Sequence, residues 1–211
     1  MVFRDRADAA RQLAQALARY RGRNPLVLAI PRGAVPMGKI IAHELQGQLD
    51  VVLVRKLRAP GNPEYALGAM DESGWCTLSE HAALAGAGAE YLEREKREQL
   101  ATLAKRRAQY TPVRPPIDPA GRIVIVVDDG LATGSTMIAA LHALRAKEPE
   151  KLVCAVPVAP PETVQRVAAY ADEMVCLETP ADFYAVGQFY LDFDQVEDDE
   201  VVALLRDKPA I

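Results

Sequence analysis

The run VIVVDDGLATGST, Val124–Thr136, limits what this chain can fold into more than any other stretch. Four apolar β-formers lead into two acids, and a loop of glycines, small residues and hydroxyls follows at once. A short apolar run of this kind reads as a strand buried on both faces, as in parallel sheets covered by helices. Ligands of such sheets gather at the carboxyl ends of the strands, and Asp128 and Asp129 stand at such an end. The loop Gly130, Leu131, Ala132, Thr133, Gly134 then feeds a helix. The first backbone N–H groups of a helix are unpaired and carry partial positive charge. Thr133, Ser135 and Thr136 add hydroxyl donors, and the glycines let the backbone come close. The arrangement is a seat for a phosphate monoester.

Acids beside a phosphate seat need a reason, because like charges repel. The loop is not a Walker loop, since no lysine precedes its hydroxyls, and GxGxxG is absent. Carboxylates make sense if the phosphate hangs from a sugar. A ribose 5-phosphate seated in the loop turns its 2- and 3-hydroxyls toward the strand end, where charged acceptors bind a diol strongly. The same acids favour positive charge developing at the anomeric carbon.

The rest of the chain has an α/β rhythm. Apolar spacing predicts a helix over Asp5–Tyr20, a buried strand over Leu26–Ile30, a helix over Val35–Gln46 and a strand over Asp50–Leu57. Pro60-Gly61 and Asn62-Pro63 mark turns, and the stretch from Ala59 to Gly74 reads as a flexible arm or hairpin. Glu90–Tyr110 reads as a long helix whose charges form a solvated face, with acids leading and bases trailing as the helix dipole prefers. Strands at Arg122–Val127, Lys151–Val158 and Glu173–Leu177 alternate with helices at Ser135–Lys147 and Glu162–Tyr170, and a last helix covers Asp198–Arg206. Such alternation implies a parallel sheet with helices on both faces.

The 211 residues suit one domain, with core segments at about 24–57 and 121–178, an arm at about 58–120 and a tail from 179. A net charge of −4 argues against a general nucleic-acid binder. No apolar run is long enough to span a membrane and no signal peptide opens the chain, so a cytoplasmic location is expected. Cys76, Cys154 and Cys176 lack disulfide or zinc spacing, and His43, His81 and His142 lack ligand spacing.

The run at Val124–Thr136 resembles the phosphoribosyl pyrophosphate (PRPP) signature of the type I phosphoribosyltransferases: four apolar residues, two acids, a small-residue loop and a terminal hydroxyl. Its wording is most similar to the adenine type. The resemblance implies a central parallel sheet with helices on both faces and a small hood or flexible arm. It also implies Mg²⁺ as cofactor, PRPP and a nucleobase-like acceptor as substrates, and a homodimer.

Further pieces follow the same family. Arg32-Gly33-Ala34, after the first core strand, resembles the family's pyrophosphate loop, where an unusual cis peptide is expected between Arg32 and Gly33. Arg55-Lys56, Pro60-Gly61, Glu64-Tyr65 and Gly68 follow the order of the adenine type, at shorter spacing. The resemblance gives Arg55 and Lys56 to pyrophosphate and makes Glu64 the acid/base on a closing loop. The segment PADFYAVGQFYLDF, Pro180–Phe193, resembles the hypoxanthine-guanine tail, with Tyr184 stacking on the base and Asp192 near the metal. Two departures stand out. Ala132 occupies the place of that type's proposed general base, and Ala159–Thr163 offers no base-reading lysine. A non-catalytic PRPP or nucleotide sensor on the same fold is the alternative, with hydrolysis or phosphorolysis as a third possibility.

Overall fold

Parallel strands form the floor of the molecule. In this computed structural model residues 2–78, 86–111 and 115–206 are described, with 63–65 described by backbone alone. Five strands lie in the order β2-β1-β6-β7-β8, all parallel: β1 (Leu26–Ala29), β2 (Gln48–Val51), β6 (Ile123–Val127), β7 (Lys151–Val158) and β8 (Glu173–Glu178). Their side chains split by the two-residue period of a strand. Val27, Ala29, Ile125, Val127, Val153 and Ala155 face one core, with α1 (Arg6–Ala16) and α2 (Val35–Glu44). Leu28, Val124, Val126, Leu152 and Cys154 face the other, with α4 (Ser135–Arg145) and Val167 of α5 (Pro161–Ala168). Both faces are covered, which is why the central strands β1, β6 and β7 read as apolar runs.

The hood is a second, antiparallel sheet of β3 (Val54–Ala59), β4 (Asn62–Asp71) and β5 (Cys76–Leu78). The single strand expected over Asp50–Leu57 is therefore two. Residues 48–51 pair with β1, the Val52 amide donates to the Ala29 carbonyl, and from Val54 the chain belongs to the hood. The run stays apolar through the bend because Val52 and Val54 both pack into the α4 core, so no glycine or proline marks the switch. The stretch expected as a flexible arm or hairpin forms a hairpin whose turn holds Gly61 at φ 71°, a conformation suited to glycine. Beyond it the Trp75 ring stacks on His142 of α4, with centroids 3.5 Å apart, and fastens the hood to the core.

The long helix α3 (Ala89–Tyr110) packs on the hood. Its charge run is not solvated all round: Glu95, Gln99, Leu103 and Tyr110 form a buried stripe. Glu95 accepts hydrogen bonds from the Arg58 amide at 2.9 Å and from its guanidinium at 2.8 and 3.1 Å. The last helix, α6 (Asp198–Arg206), packs Val201 and Leu205 into the α1–α2 core, and Tyr110 of α3 donates to its Asp198 at 2.8 Å.

Candidate functional site

Neighbouring β1 and β6 end level, with Ala29 opposite Val127. Both then turn into helices, so two loops and two helix N-termini meet at one place. α2 begins after Ala34 and α4 after Gly134, and neither has a side-chain cap on its first N–H groups. Uncapped amides at two adjacent helix starts make an anion-binding surface. Gly134 has φ 74°, and a Cβ there would lie 2.7 Å from Val167, so only glycine fits the turn into α4.

The loop after β6 is braced from behind. The Leu131 amide donates to the Val158 carbonyl. Thr163 Oγ1 donates to the Ala132 carbonyl at 2.7 Å, and Arg166 Nη2 to the Thr133 carbonyl at 2.6 Å. Ala132 and Thr133 stay exposed at the loop tip, and Thr133 Oγ1 lies 3.3 Å from Ser135 Oγ. The apolar tail residue Val186 covers Gly130, where an added Cβ would meet it at 2.6 Å.

Asp128 and Asp129 stand where the sequence places them, at the end of β6. Both are partly buried, and the Asp129 amide donates to Asp128 Oδ1 at 2.9 Å. Burial, and then the charge of Asp129, hold the Asp128 carboxyl well above the usual carboxylate range, against a smaller opposing pull from Lys56 and Arg6. Burial also raises Asp129, which Arg6 partly offsets. Arg6 Nε and Nη2 both donate to Asp129 Oδ2, at 2.9 and 2.8 Å. Its Nη1 donates to the Asp194 carbonyl, and its guanidinium lies 3.9 Å from the centre of the Phe193 ring. Tyr190 Oη donates to the backbone carbonyl of Asp129 at 2.6 Å.

The pyrophosphate-loop candidates Arg32, Gly33 and Ala34 fall beside these acids. A Cβ on Gly33 would come 2.3 Å from Asp129 Oδ2. The cis peptide lies between Pro31 and Arg32, one bond before the position expected from the resemblance; nothing local in Pro31-Arg32-Gly33 distinguishes the two bonds. Arg32 reaches toward α6, 3.1 Å from Glu197 and 3.8 Å from Asp198. Arg55 and Lys56 are neighbours on β3, so they leave opposite faces. Arg55 donates to Gln99 of α3 at 2.9 Å, and burial followed by the nearby charges of Arg106, Arg58 and Arg32 lowers its pKa. Lys56 is exposed and close enough to favour the charged form of Asp128.

The base side is more open. Tyr184 is 90% exposed, its backbone amide held by the Gln188 side chain at 2.8 Å. Asp192 is exposed, and its amide donates to the Arg4 carbonyl. Glu64 lies on β4, and its side chain is outside the described residues, as is all of His81. No group of three His, Cys, Asp or Glu side chains that could cage a metal occurs among the described residues.

Sequence reasoning missed Arg6, Thr163, Arg166 and Tyr190. Each reaches the loop or the acids from a distant part of the chain, and none belongs to a local pattern. Among the described residues no helix is long and apolar enough to cross a membrane.

A family model described as a phosphoribosyl transferase domain matches residues 3–194. Two curated Mycobacterium tuberculosis proteins, from strains CDC 1551 and H37Rv, are each named provisionally as a phosphoribosyl transferase. Each is 47% identical over 205 residues, covering 97% of this chain. The chain spans about half the length, 46%, of those relatives. The crystal structure of TT1426 from Thermus thermophilus is 50% identical, with a TM-score of 0.81 over 98% of each chain.

Proposed function

The chain belongs to the phosphoribosyl transferase domain family, and on that premise we propose that it moves phosphoribose from PRPP to an acceptor nitrogen, a nucleobase nitrogen first of all, and releases pyrophosphate. One observation carries this reading: two uncapped helix N-termini and a desolvated acid pair meet at the carboxyl end of one sheet. Uncapped amides suit phosphate. Acids short of solvent suit hydroxyl donors and a growing positive charge.

In this reading Gly130–Thr136 hold the 5-phosphate, and Asp128 and Asp129 accept hydrogen bonds from the ribose hydroxyls. Arg32, Gly33, Ala34, Arg55 and Lys56 serve the pyrophosphate. The acceptor nitrogen gives its lone pair to the anomeric carbon. The bond from that carbon to the pyrophosphate oxygen breaks, and its electron pair leaves with pyrophosphate. The sugar passes through an oxocarbenium-like state, as at other glycosidic centres, and the acids favour that charge. Glu64 takes the proton from the acceptor nitrogen, and Tyr184 stacks on the base.

Mg²⁺ goes with this reading. Magnesium sites of this kind use one or two carboxylates together with substrate phosphates, and the exposed Asp192 would supply such a carboxylate here. When bound, the ion neutralises the leaving pyrophosphate. The assembly expected is a homodimer, which sedimentation of the pure protein checks, and the expected location is the cytoplasm.

Calorimetric titration with PRPP and Mg²⁺, against ribose 5-phosphate, tests the proposal. The expected result is binding on the order of micromolar, tighter for PRPP, weakened by Asp129→Asn, and followed by pyrophosphate release when nucleobases are screened. Absence of PRPP binding defeats it. Binding without turnover on any base selects the sensor instead.

A further inference from the structure

We propose that Arg6 is a positioning residue of this site, gripping one oxygen of Asp129 so that the other is presented to the ribose hydroxyls. The inference rests on the phosphoribosyl reading above.

The geometry is one-sided. Both contacting nitrogens of Arg6 donate to the same oxygen, Oδ2. Gly33 closes on that same atom, with no room for even a methyl group between them. Oδ2 is thus enclosed by Arg6 and the Arg32–Ala34 loop. Oδ1 is left as the oxygen through which Asp129 can meet a ligand.

Arg6 is itself fixed. Its side chain is only 14% exposed, and the Asp129 side chain 16%. The Phe193 ring lies under the guanidinium, and the Asp194 carbonyl takes Nη1. Phe193 stacks on Tyr190, centroids 4.8 Å apart, and Tyr190 holds the Asp129 carbonyl. Side chain and backbone of Asp129 are therefore held by one connected group drawn from α1 and the tail.

Stability alone is a poor account of such a pair. Removing two charges from water is costly, and apolar residues of similar volume often serve stability as well or better. The pair stands instead at the acid that must stay ionised and aimed. Arg6 also puts a positive charge behind two carboxylates that face an anionic ligand, which lessens their mutual repulsion.

The test compares Arg6→Gln and Arg6→Lys with the wild type by calorimetry, using PRPP with Mg²⁺, ribose 5-phosphate and pyrophosphate as separate probes. For Arg6→Gln the affinity for PRPP and ribose 5-phosphate is expected to fall roughly 10–100-fold, the range seen when an orienting partner of a ligand group is lost. Pyrophosphate affinity should fall far less, within about twofold, since Arg6 packs beside Gly33 but its hydrogen bonds go to Asp129 and Asp194 and not to the pyrophosphate ligands. The acid limb of ribose 5-phosphate binding should move to higher pH, because Asp129 without Arg6 takes up a proton more readily. Arg6→Lys should restore the limb but only part of the affinity, since an ammonium lacks the planar fork. Unchanged ribose 5-phosphate binding with an unchanged limb overturns the inference, and so does a parallel loss of pyrophosphate. Should Arg6→Gln fail to fold, the same contrast between the two probes in Arg6→Lys decides. A wild type that ignores PRPP defeats the functional reading itself; a wild type that binds, beside an indifferent variant, defeats this inference alone.

Discussion

Asp128 carries a conflict between stability and use. Burial and the neighbouring Asp129 raise its carboxyl well above the ordinary value. For an acid raised on folding, the full stability is present below the unfolded pKa and is lost as pH rises through the folded one. The contribution of Asp128 to the stability of the ligand-free protein should therefore fade as pH climbs above about 4, the usual aspartate value. Asp128→Asn removes the charge and the loss. We expect the ligand-free variant to melt about 2–4 °C higher at neutral pH, a gain of roughly 1 kcal/mol in a chain of this size. The same variant should bind PRPP more weakly. Melting curves and titrations check both halves, and an unchanged melting point together with unchanged affinity would remove Asp128 from the site.

Among the elements, β6 with its loop and α4 was the most legible in sequence, because one unbroken segment carries strand, acids, loop and helix start. The bend at Val52 was not. Its residues are apolar on both sides of the switch because they pass from one sheet to another without leaving the core. The buried stripe of α3 was hidden for a related reason. Glu95 and Gln99 are polar, and only their partners, Arg58 and Arg55 on the hood, reveal that they face inward. Burial pushes the Glu95 carboxyl up, but hydrogen bonds from Arg58 outweigh it and hold the pKa below the usual value. That contribution is present above the unfolded pKa and fades as pH falls through the folded one. Glu95→Gln should therefore cost roughly 1.5–3 kcal/mol at pH 7 and much less near pH 3, the range for a hydrogen bond to a charged group. Denaturant melts at the two pH values test it; an equal cost at both would mean that shape, not charge, matters at Glu95.

At the scale of the whole molecule, distance along the chain decides what the sequence could reveal. The strand end, acids and loop proposed to seat phosphate are one local segment, and their place in the fold was read directly. The support behind it is not. Arg6 and Asp129 are 123 positions apart, and no spacing rule connects a lone arginine at a helix start to an acid in another segment. The same closure joins the segment before α1 to the tail. Phe3 pairs with Tyr190, its amide donates to the Phe189 carbonyl, and the Leu191 amide returns the bond to Phe3. Phe3 is fully buried and lies 5.5 Å from the Tyr190 ring.

That pairing sets a clock on biosynthesis. A ribosome makes residue 3 well before residue 190, and earlier parts of the chain fold as they emerge. α1 can settle on α2 early, but Arg6 has no aromatic shelf until Phe193 leaves the exit tunnel. The acid pair is thus finished only once the tail has been made, and a chain halted before it should carry the Gly130–Gly134 loop without the ribose grip proposed above. Ribosome-arrested chains of increasing length would report this through protection from protease by ribose 5-phosphate. Protection should begin only after residues 189–194 are outside, and protection in shorter chains would show that the grip forms without its tail.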